Sequence, residues 1–257
     1  MAMERVAAAP DDLGWLATRP DMESVTGYDP EGWEASTWVL HALYVNDALV
    51  GLGSHDELRR QSLAAGAVAP VIIGDLNLDA LSTVTGTPLG FVVRPGSPWR
   101  RVRWAEYLGT LSASLDGHEN PPSDAWFPHK SWPVSVLAPP EGSLDEESFT
   151  ALVDTLAATG GCGFDAECLA FYASLPANDF DSRHLWRGRL GELETLLSDR
   201  GGPYSFTPTN FWPVDRSWFV WTDYDLSATK ISGSRQVVDA VRRRSDLDWL
   251  DWTRPNP

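Results

Sequence analysis

Several stretches of the chain place apolar residues at the spacing of an α-helix, and most of them also carry signals for the start of a helix. Ser54 and Glu57 form a capping box ahead of one such stretch, and Ser143 and Glu146 form another. Ser234 is placed to cap a third. The predicted helices are EGWEASTWVLHALYVN, GSHDELRRQSLAAG, GSLDEESFTALVDTLAATGG, LGELETLLSDRGG and SRQVVDAVRRR.

Short apolar runs bounded by glycine, proline or polar clusters lie between these helices and predict β-strands. The predicted strands are PVIIGD, TPLGFVVRP, WPVSVLAP, CLAFYASL, SWFVWTDYDL and DLDWLDW, with ATKISGS as the hairpin partner of SWFVWTDYDL. WRRVRWAEYL fits a strand and a helix equally well. This order of elements predicts an α+β fold with largely antiparallel sheets and helices packed on one side.

Two segments of the chain run through a similar order of residues. They are FPHKSWPVSVLAPPEGSLDEESFTALVDTL and FWPVDRSWFVWTDYDLSATKISGSRQVVDAV. Each has an aromatic start, a Ser-Trp pair, a strand and a helix preceded by serine. The likeness predicts two related strand–helix units.

The most loop-like part of the chain lies between Ser112 and Asp124. A Pro-Pro pair, a glycine and small polar residues interrupt the apolar periodicity there. A chain of 257 residues can bury one sizeable core or two modest ones. We therefore predict an N-terminal α+β domain over residues 1–112, a linker over residues 113–123 and a C-terminal α+β domain over residues 124–257.

Tryptophan is unusually frequent, with 13 copies, and three of them lie in the stretch NFWPVDRSWFVW. On a strand, Trp218 and Val220 would point to one side, and Phe219 and Trp221 to the other. Both faces are therefore apolar at this point. The pattern predicts a central strand that is covered on both sides, with the rings in the core.

A second interpretation makes part of this stretch a binding surface, because aromatic rings beside arginine are common in interface hot spots. The predicted binding residues are Trp212, Arg216, Trp221, Asp223 and Asp225. In the core interpretation, the aspartates would instead meet turn amides or nearby cations. Carbohydrate binding is a third interpretation, in which exposed tryptophan rings stack on sugar faces.

Acidic residues outnumber basic ones along the whole chain. There are 36 Asp and Glu against 20 Lys and Arg, for a net charge of −16. Residues 1–112 have 14 acids and 8 bases, and residues 113–257 have 22 acids and 12 bases. Neither half offers the positive surface that nucleic-acid binding requires. An acidic surface favours solubility and a basic partner protein.

The spacing of the cysteines and the absence of long apolar runs indicate where in the cell the protein is found. Cys162 and Cys168, in CGFDAEC, lack the spacing of a redox pair or of half a zinc site, so free cytosolic thiols are expected. No apolar run approaches the ~20 residues of a membrane span. The start MAMERVAAAPDD lacks the regions of an export signal. We therefore expect a soluble cytoplasmic protein, with no cofactor and no membrane partner.

One motif supports an enzymatic alternative. Asp223 and Asp225 follow a predicted strand, and two carboxylates at a strand end can hold a divalent ion. The alternative function is thus a metal-dependent hydrolase or transferase, with His55 or His184 as the general base. The sequence contains no Gly-x-Ser-x-Gly elbow, His-Glu-x-x-His pattern or phosphate-binding loop to support it.

The C-terminal segment FTPTNFWPVDRSWFVWTDYDLSATKISGS resembles a pattern found in uncharacterised actinobacterial proteins. In that pattern, a Trp-Pro-x-Asp-x-Ser-Trp run precedes an acidic strand and a helix bounded by Ser or Gly. The acidic, Trp-rich α+β character also resembles that of bacterial immunity proteins. Neither resemblance implies functional residues. With the lack of a catalytic set, they favour a non-enzymatic protein that binds another protein, of an immunity or regulatory type.

Overall fold

The chain folds around one large antiparallel sheet, and the computed structural model describes residues 2–8, 10–16, 28–173, 175–177, 184–198 and 205–253. Its strands are β1 (Glu4–Val6), β2 (Ala35–Leu40), β3 (Leu43–Val45), β4 (Ile72–Ile73), β5 (Leu76–Asn77), β6 (Arg100–Val102), β7 (Val136–Leu137), β8 (Glu167–Tyr172), β9 (His184–Arg189), β10 (Asn210–Pro213), β11 (Trp218–Trp221), β12 (Ala228–Gly233) and β13 (Asp248–Leu250). Its helices are α1 (Pro10–Leu13), α2 (His55–Ala64), α3 (Leu78–Leu81), α4 (Trp104–Thr110), α5 (Glu146–Thr159), α6 (Thr195–Ser198) and α7 (Arg235–Arg242).

The described strands form three sheets, all with antiparallel pairing. The main sheet has the order β1-β9-β8-β10-β11-β12-β2-β13. A second sheet has the order β6-β3-β7, and β4 pairs with β5 as a separate hairpin. The predicted α+β class with largely antiparallel sheets is confirmed, as is the hairpin pairing of β11 with β12.

The main sheet carries an apolar core on each face, and β11 contributes to both. Trp218 and Val220 belong to a first core that includes residues of α5 and α7. Phe219 and Trp221 belong to a second core that includes residues of β3, β6 and α4. Successive strand residues point to opposite faces, so one short strand supplies two cores. The prediction of a central strand covered on both sides is confirmed.

The predicted helix EGWEASTWVLHALYVN is wrong, because this segment forms β2 and β3. Thr37, Trp38, Val39 and Leu40 are all buried in succession. A run buried on every side fits a strand between two cores as well as it fits a helix, and β-branched residues favour the strand. The strand is completed by pairing with β12 and β13, which are far away in the sequence.

Local helix signals are confirmed at α2 and α7. The Ser54 capping box is formed, and the Ser234 hydroxyl accepts the amide of Val237. At α5, however, Asp145 rather than Ser143 is the N-cap. The Ser143 hydroxyl is already bound to the amide of Thr207, at 2.9 Å. Among the described residues, no helix has both the length and the apolar sequence that crossing a bilayer requires.

The other predictions are met in part. WRRVRWAEYL contains both a strand, β6, and a helix, α4, whereas TPLGFVVRP forms only an isolated bridge between Leu89 and Glu141. LGELETLLSDRGG begins with a 3-10 turn and continues into α6. Of the two related strand–helix units, the helices α5 and α7 pack together on the first core. Their strands lie in different sheets, β7 in the second and β11 in the main one.

Strand pairing crosses the predicted linker at residues 113–123. β2 precedes this segment and pairs with β12 and β13, which follow it. β3 pairs with β6 on one side and with β7 on the other. Within the segment, Ala113 and Leu115 pack against the second core. The regions 1–112 and 124–257 therefore share a sheet and a core.

Candidate functional site

The two tryptophans of the predicted binding patch lie inside the protein. Trp212 and Trp221 are each 1% exposed and belong to the second core. Trp212 makes an edge contact with Trp15 at a centroid distance of 5.5 Å, and Trp221 makes one with Trp38 at 5.6 Å. The prediction that these two rings lie on a binding surface is wrong, and the prediction that they lie in the core is confirmed.

The other three predicted binding residues lie in turns at opposite ends of β11. Arg216 is exposed in the β10–β11 turn, and its guanidinium carbon lies 4.6 Å from the centre of the Trp15 ring. In the β11–β12 turn, Asp223 is buried and Asp225 is exposed. The amide of Asp225 donates to Asp223 Oδ1 at 3.1 Å, which ties the turn together. The length of β11 therefore separates Arg216 from the aspartates.

All 13 tryptophans lie in the described part of the chain, so the exposure of each ring is known. Seven are buried, five are half-buried, and Trp249 is exposed, at 40%. The guanidinium of Arg242 lies 5.8 Å from the centre of the Trp249 ring. Stacking on sugars requires exposed rings, and here the indoles mainly fill the two cores.

Asp223 and Asp225 do not gather the partners that a metal site requires. Within the described ranges, no group of three or more His, Cys, Asp or Glu side chains is arranged to hold a metal ion. His55 begins α2 with its ring against the backbone of Gly86, and His184 begins β9. The bond from the Asp225 amide gives the Asp223 side chain a role in holding its turn.

A cluster of carboxyl groups that the sequence analysis did not identify surrounds Glu141. Burial, together with the negative charges of Asp124 and Asp225, raises the pKa of Glu141 to about 7. Burial also raises the pKa of Asp225, with the charges of Asp223 and Asp124 adding to the effect. These side chains come from separate loops, so no local motif marks them. A carboxyl group with this pKa exchanges its proton near neutral pH.

His41 is fully buried between β2 and β3 and has a structural environment. Its Nδ1 donates to the carbonyl of Pro140 at 2.6 Å, and its Nε2 accepts from the Thr229 hydroxyl at 3.0 Å. Burial lowers the pKa of His41 to about 4. The indole of Trp104 donates to the His41 carbonyl at 2.8 Å. The ring is therefore neutral at pH 7, and both its nitrogens have partners.

An open groove of about 800 Å³ lies between β6, the first turns of α5 and the loop before β13. Its lining is charged, and several of the charges are paired within the groove. Arg94 binds Glu147, and Arg244 binds Asp246. A charged ligand would have to displace these ion pairs, which makes the groove a weak candidate for a binding site.

The hairpin of β4 and β5 projects from the body of the protein. Every residue from 64 to 77 is exposed. Ile72 is 60% exposed and Ile73 is 63% exposed, although consecutive strand residues point to opposite faces. Neither face of the hairpin therefore packs on the body. We define the hairpin surface as the exposed apolar side chains of this region, namely Val68, Val71, Ile72, Ile73, Leu76 and Leu81.

Exposed apolar side chains are concentrated around this hairpin. Of the 14 large hydrophobic residues that are exposed in the described part of the chain, ten lie between Val50 and Val84. Single exposed apolar residues are normal on protein surfaces, whereas a concentration of them marks an interaction site. The hairpin surface is therefore the strongest candidate for a binding site.

Side-chain bonds between Arg59 and Asp79 brace the base of the hairpin. Arg59 Nε donates to Asp79 Oδ1 at 2.8 Å, and its Nη2 donates to the carbonyl of Ala69 at 2.9 Å. Asp79 Oδ2 also accepts the amide of Val71 at 2.7 Å. The hydrogen bond from Arg59 is the main reason that the pKa of Asp79 is lowered. Because an isolated two-stranded hairpin is only marginally stable, the brace explains how an apolar hairpin keeps its shape in water.

Part of this site is predictable from the sequence. The sequence predicts PVIIGD as a strand, and its two central residues, Ile72 and Ile73, form β4. Gly74 and Asp75 form the two-residue loop, and Gly74 has the positive φ (60°) that such loops require. The exposure could not be predicted, because a short apolar run is typical of a buried strand.

Comparison with known proteins adds no family to this geometry. The chain matches no protein-family model, no curated protein and no solved structure. The resemblance of the C-terminal segment to actinobacterial proteins stays a prediction. The arrangement of the chain's own residues is thus the basis for a functional proposal.

Proposed function

We propose that this protein is a non-enzymatic, cytoplasmic protein of an immunity or regulatory type, which acts by binding another protein through the hairpin surface. The observation that carries the proposal is the exposure of both Ile72 and Ile73, at 60% and 63%. Leaving such side chains in water forgoes roughly 1.5–3 kcal/mol of burial energy for each. A partner that covers them recovers this energy.

The brace supports the proposal, because it fixes the hairpin before binding. Association is weakened when loops must be ordered in the complex, so a preformed hairpin binds more tightly than a mobile one. Arg59 and Asp79 supply this order without covering any of the apolar side chains at the tip. They leave the hairpin both rigid and accessible.

The test is an affinity experiment with a double variant, Ile72→Ser with Ile73→Ser. Partners of the wild-type protein would be captured, identified and purified, and their affinity for each variant measured by calorimetry. We expect the double variant to bind about 10-fold or more weakly, as for the loss of interface anchors.

Val93→Ser is the matched control. Val93 is 62% exposed but lies outside the hairpin surface, so its substitution should leave the affinity unchanged. Circular dichroism and the Tm would show that both variants are folded. Equal affinity of the hairpin variant and the wild type would refute the proposed site.

A further inference from the structure

We infer that the hairpin enters a cleft on a positively charged protein, so that both of its faces are covered in the complex. This inference rests on the proposed function and specifies the partner. The register supports it: Ile73 lies opposite Leu76, and Ile72 lies opposite Asn77. Ile73 and Leu76 therefore share one face, whereas Ile72 projects from the other.

A flat partner would cover only one of these faces. Docking through Ile73 and Leu76 would leave Ile72 in water, and docking through Ile72 would leave the other two. A cleft covers all three side chains at once. Because the hydrophobic contribution grows with the apolar area removed from water, the cleft is the geometry with the larger stabilisation.

The charges around the hairpin favour a cationic rim on this cleft. Residues 68–81, VAPVIIGDLNLDAL, contain two aspartates and no basic residue. The two cations that lie nearest to this segment along the sequence are engaged on the protein itself, Arg59 with Asp79 and Arg60 with Asp56. Asp75 is exposed at the turn. With a net charge of −16 on the whole chain, association with a basic partner is accelerated by attraction.

The same charges disfavour two other occupants. A second copy of this chain would bring two acidic molecules together, each with a charge of −16. A lipid surface is usually bound with the help of basic and aromatic residues, and residues 68–81 contain neither. Charge complementarity thus selects a basic protein.

Photo-crosslinking from each face of the hairpin tests the inference. The photoreactive residue p-benzoylphenylalanine would replace Ile72 in one variant and Ile73 in another, with Val93 as the control position. Each full-length variant would be irradiated with the purified partner from the affinity experiment. We expect both hairpin positions to crosslink to residues on opposite walls of one cleft, and position 93 to give no product.

Salt dependence supplies the second readout. We expect the association rate to fall about 10-fold between 50 and 500 mM NaCl, because salt screens attraction between opposite charges. Asp75→Asn should reduce this dependence. A rate that does not change with salt would overturn the cationic rim.

The other outcomes separate this inference from the proposed function. Crosslinks from position 73 alone would refute insertion into a cleft while leaving protein binding in place. A dimer in sedimentation equilibrium, lost in the Ile72→Ser/Ile73→Ser variant, would identify a second copy as the occupant. Co-sedimentation with phosphatidylcholine vesicles, with or without phosphatidylserine, would identify a lipid surface. Either result would overturn the inference.

Discussion

At the scale of single residues, the buried indoles differ in whether their N–H group has a partner. Trp104 donates to the carbonyl of His41 at 2.8 Å. Trp221 is equally buried, but its N–H has no hydrogen-bond partner in the described structure, and the same holds for Trp38. Buried polar groups without a partner destabilise the folded state, so identical substitutions should have different effects at these positions.

Replacing tryptophan by phenylalanine at positions 104 and 221 tests this difference. Both variants lose similar apolar volume, but only Trp104→Phe breaks a hydrogen bond and leaves a buried carbonyl unpaired. We expect Trp104→Phe to lower the free energy of unfolding by ~1–3 kcal/mol more than Trp221→Phe does. Urea denaturation measures both values. Equal losses would contradict this account of the two indoles.

Two titratable groups, the buried His41 and the half-buried Glu141, give opposite pH dependence to stability. The pKa of His41 is about 4 in the folded protein and about 6.5 in the unfolded chain. Its contribution to the stability of the folded state is therefore complete above pH 6.5 and is lost as the pH falls towards 4. The pKa of Glu141 is about 7 in the folded protein and about 4.5 in the unfolded chain. Its contribution to the stability of the folded state is therefore complete below pH 4.5 and is lost as the pH rises through 7. Between pH 4.5 and 6.5, the two groups change the free energy of unfolding in opposite directions, so their effects partly cancel.

The substitution Glu141→Gln removes the pH dependence of stability that Glu141 contributes. At pH 8 we expect the variant to be more stable than the wild type by ~1–3 kcal/mol, because the half-buried side chain at this position no longer has to ionise. At pH 4 the two proteins should be nearly equal. The free energy of unfolding in urea, measured across this range, checks the prediction. Glu119→Gln, at an exposed carboxyl, is the control, and a gain for Glu141→Gln that is independent of pH would contradict the assigned cause.

At the scale of elements, the β4–β5 hairpin depends on a brace outside its own strands. Asp79 accepts from both Arg59 and the amide of Val71. A hairpin of two residues per strand has few bonds of its own, so this side chain decides whether the apolar tip is ordered. Order at the tip is what the proposed binding site requires.

Asp79→Ala should loosen the hairpin without unfolding the protein. We expect amide hydrogen exchange at Val71 to accelerate about 10-fold or more, because its acceptor is lost, while strands of the main sheet stay protected. Hydrogen exchange followed by NMR spectroscopy, which resolves single amides, measures both. Asp246→Ala removes a surface partner of Arg244 elsewhere and is the control. Unchanged exchange at Val71 would show that the brace does not hold the hairpin.

At the scale of the whole molecule, features that depend on neighbouring residues could be predicted from the sequence. Features that depend on contacts between distant parts of the chain could not. The caps at Ser54 and Ser234 depend on neighbouring residues, and both form as predicted. The strand β2 depends on β12 and β13, so helical spacing within it was misleading. Likewise, Trp221 and Ile73 are both apolar residues of predicted strands. Only the assembled sheet places the first in the core and the second in water.

The shared sheet also predicts how the chain behaves when divided. A fragment of residues 124–257 lacks β2, which lies between β12 and β13 in the sheet, and lacks the rings of Trp38 and Trp104 from the second core. We expect this fragment to lose the near-ultraviolet circular dichroism of packed tryptophans. A native-like spectrum and a cooperative thermal transition of the fragment would contradict the shared core.

The central claim is that the hairpin surface is where this protein meets its partner. Hydrogen exchange of the wild-type protein, free and in complex, tests it most directly because amides along the whole chain are observed in one experiment. The account predicts that protection on binding is largest between residues 68 and 81 and negligible at Arg216 and Asp225. Protection confined to the turns around β11, with the hairpin exchanging as in the free protein, would contradict it.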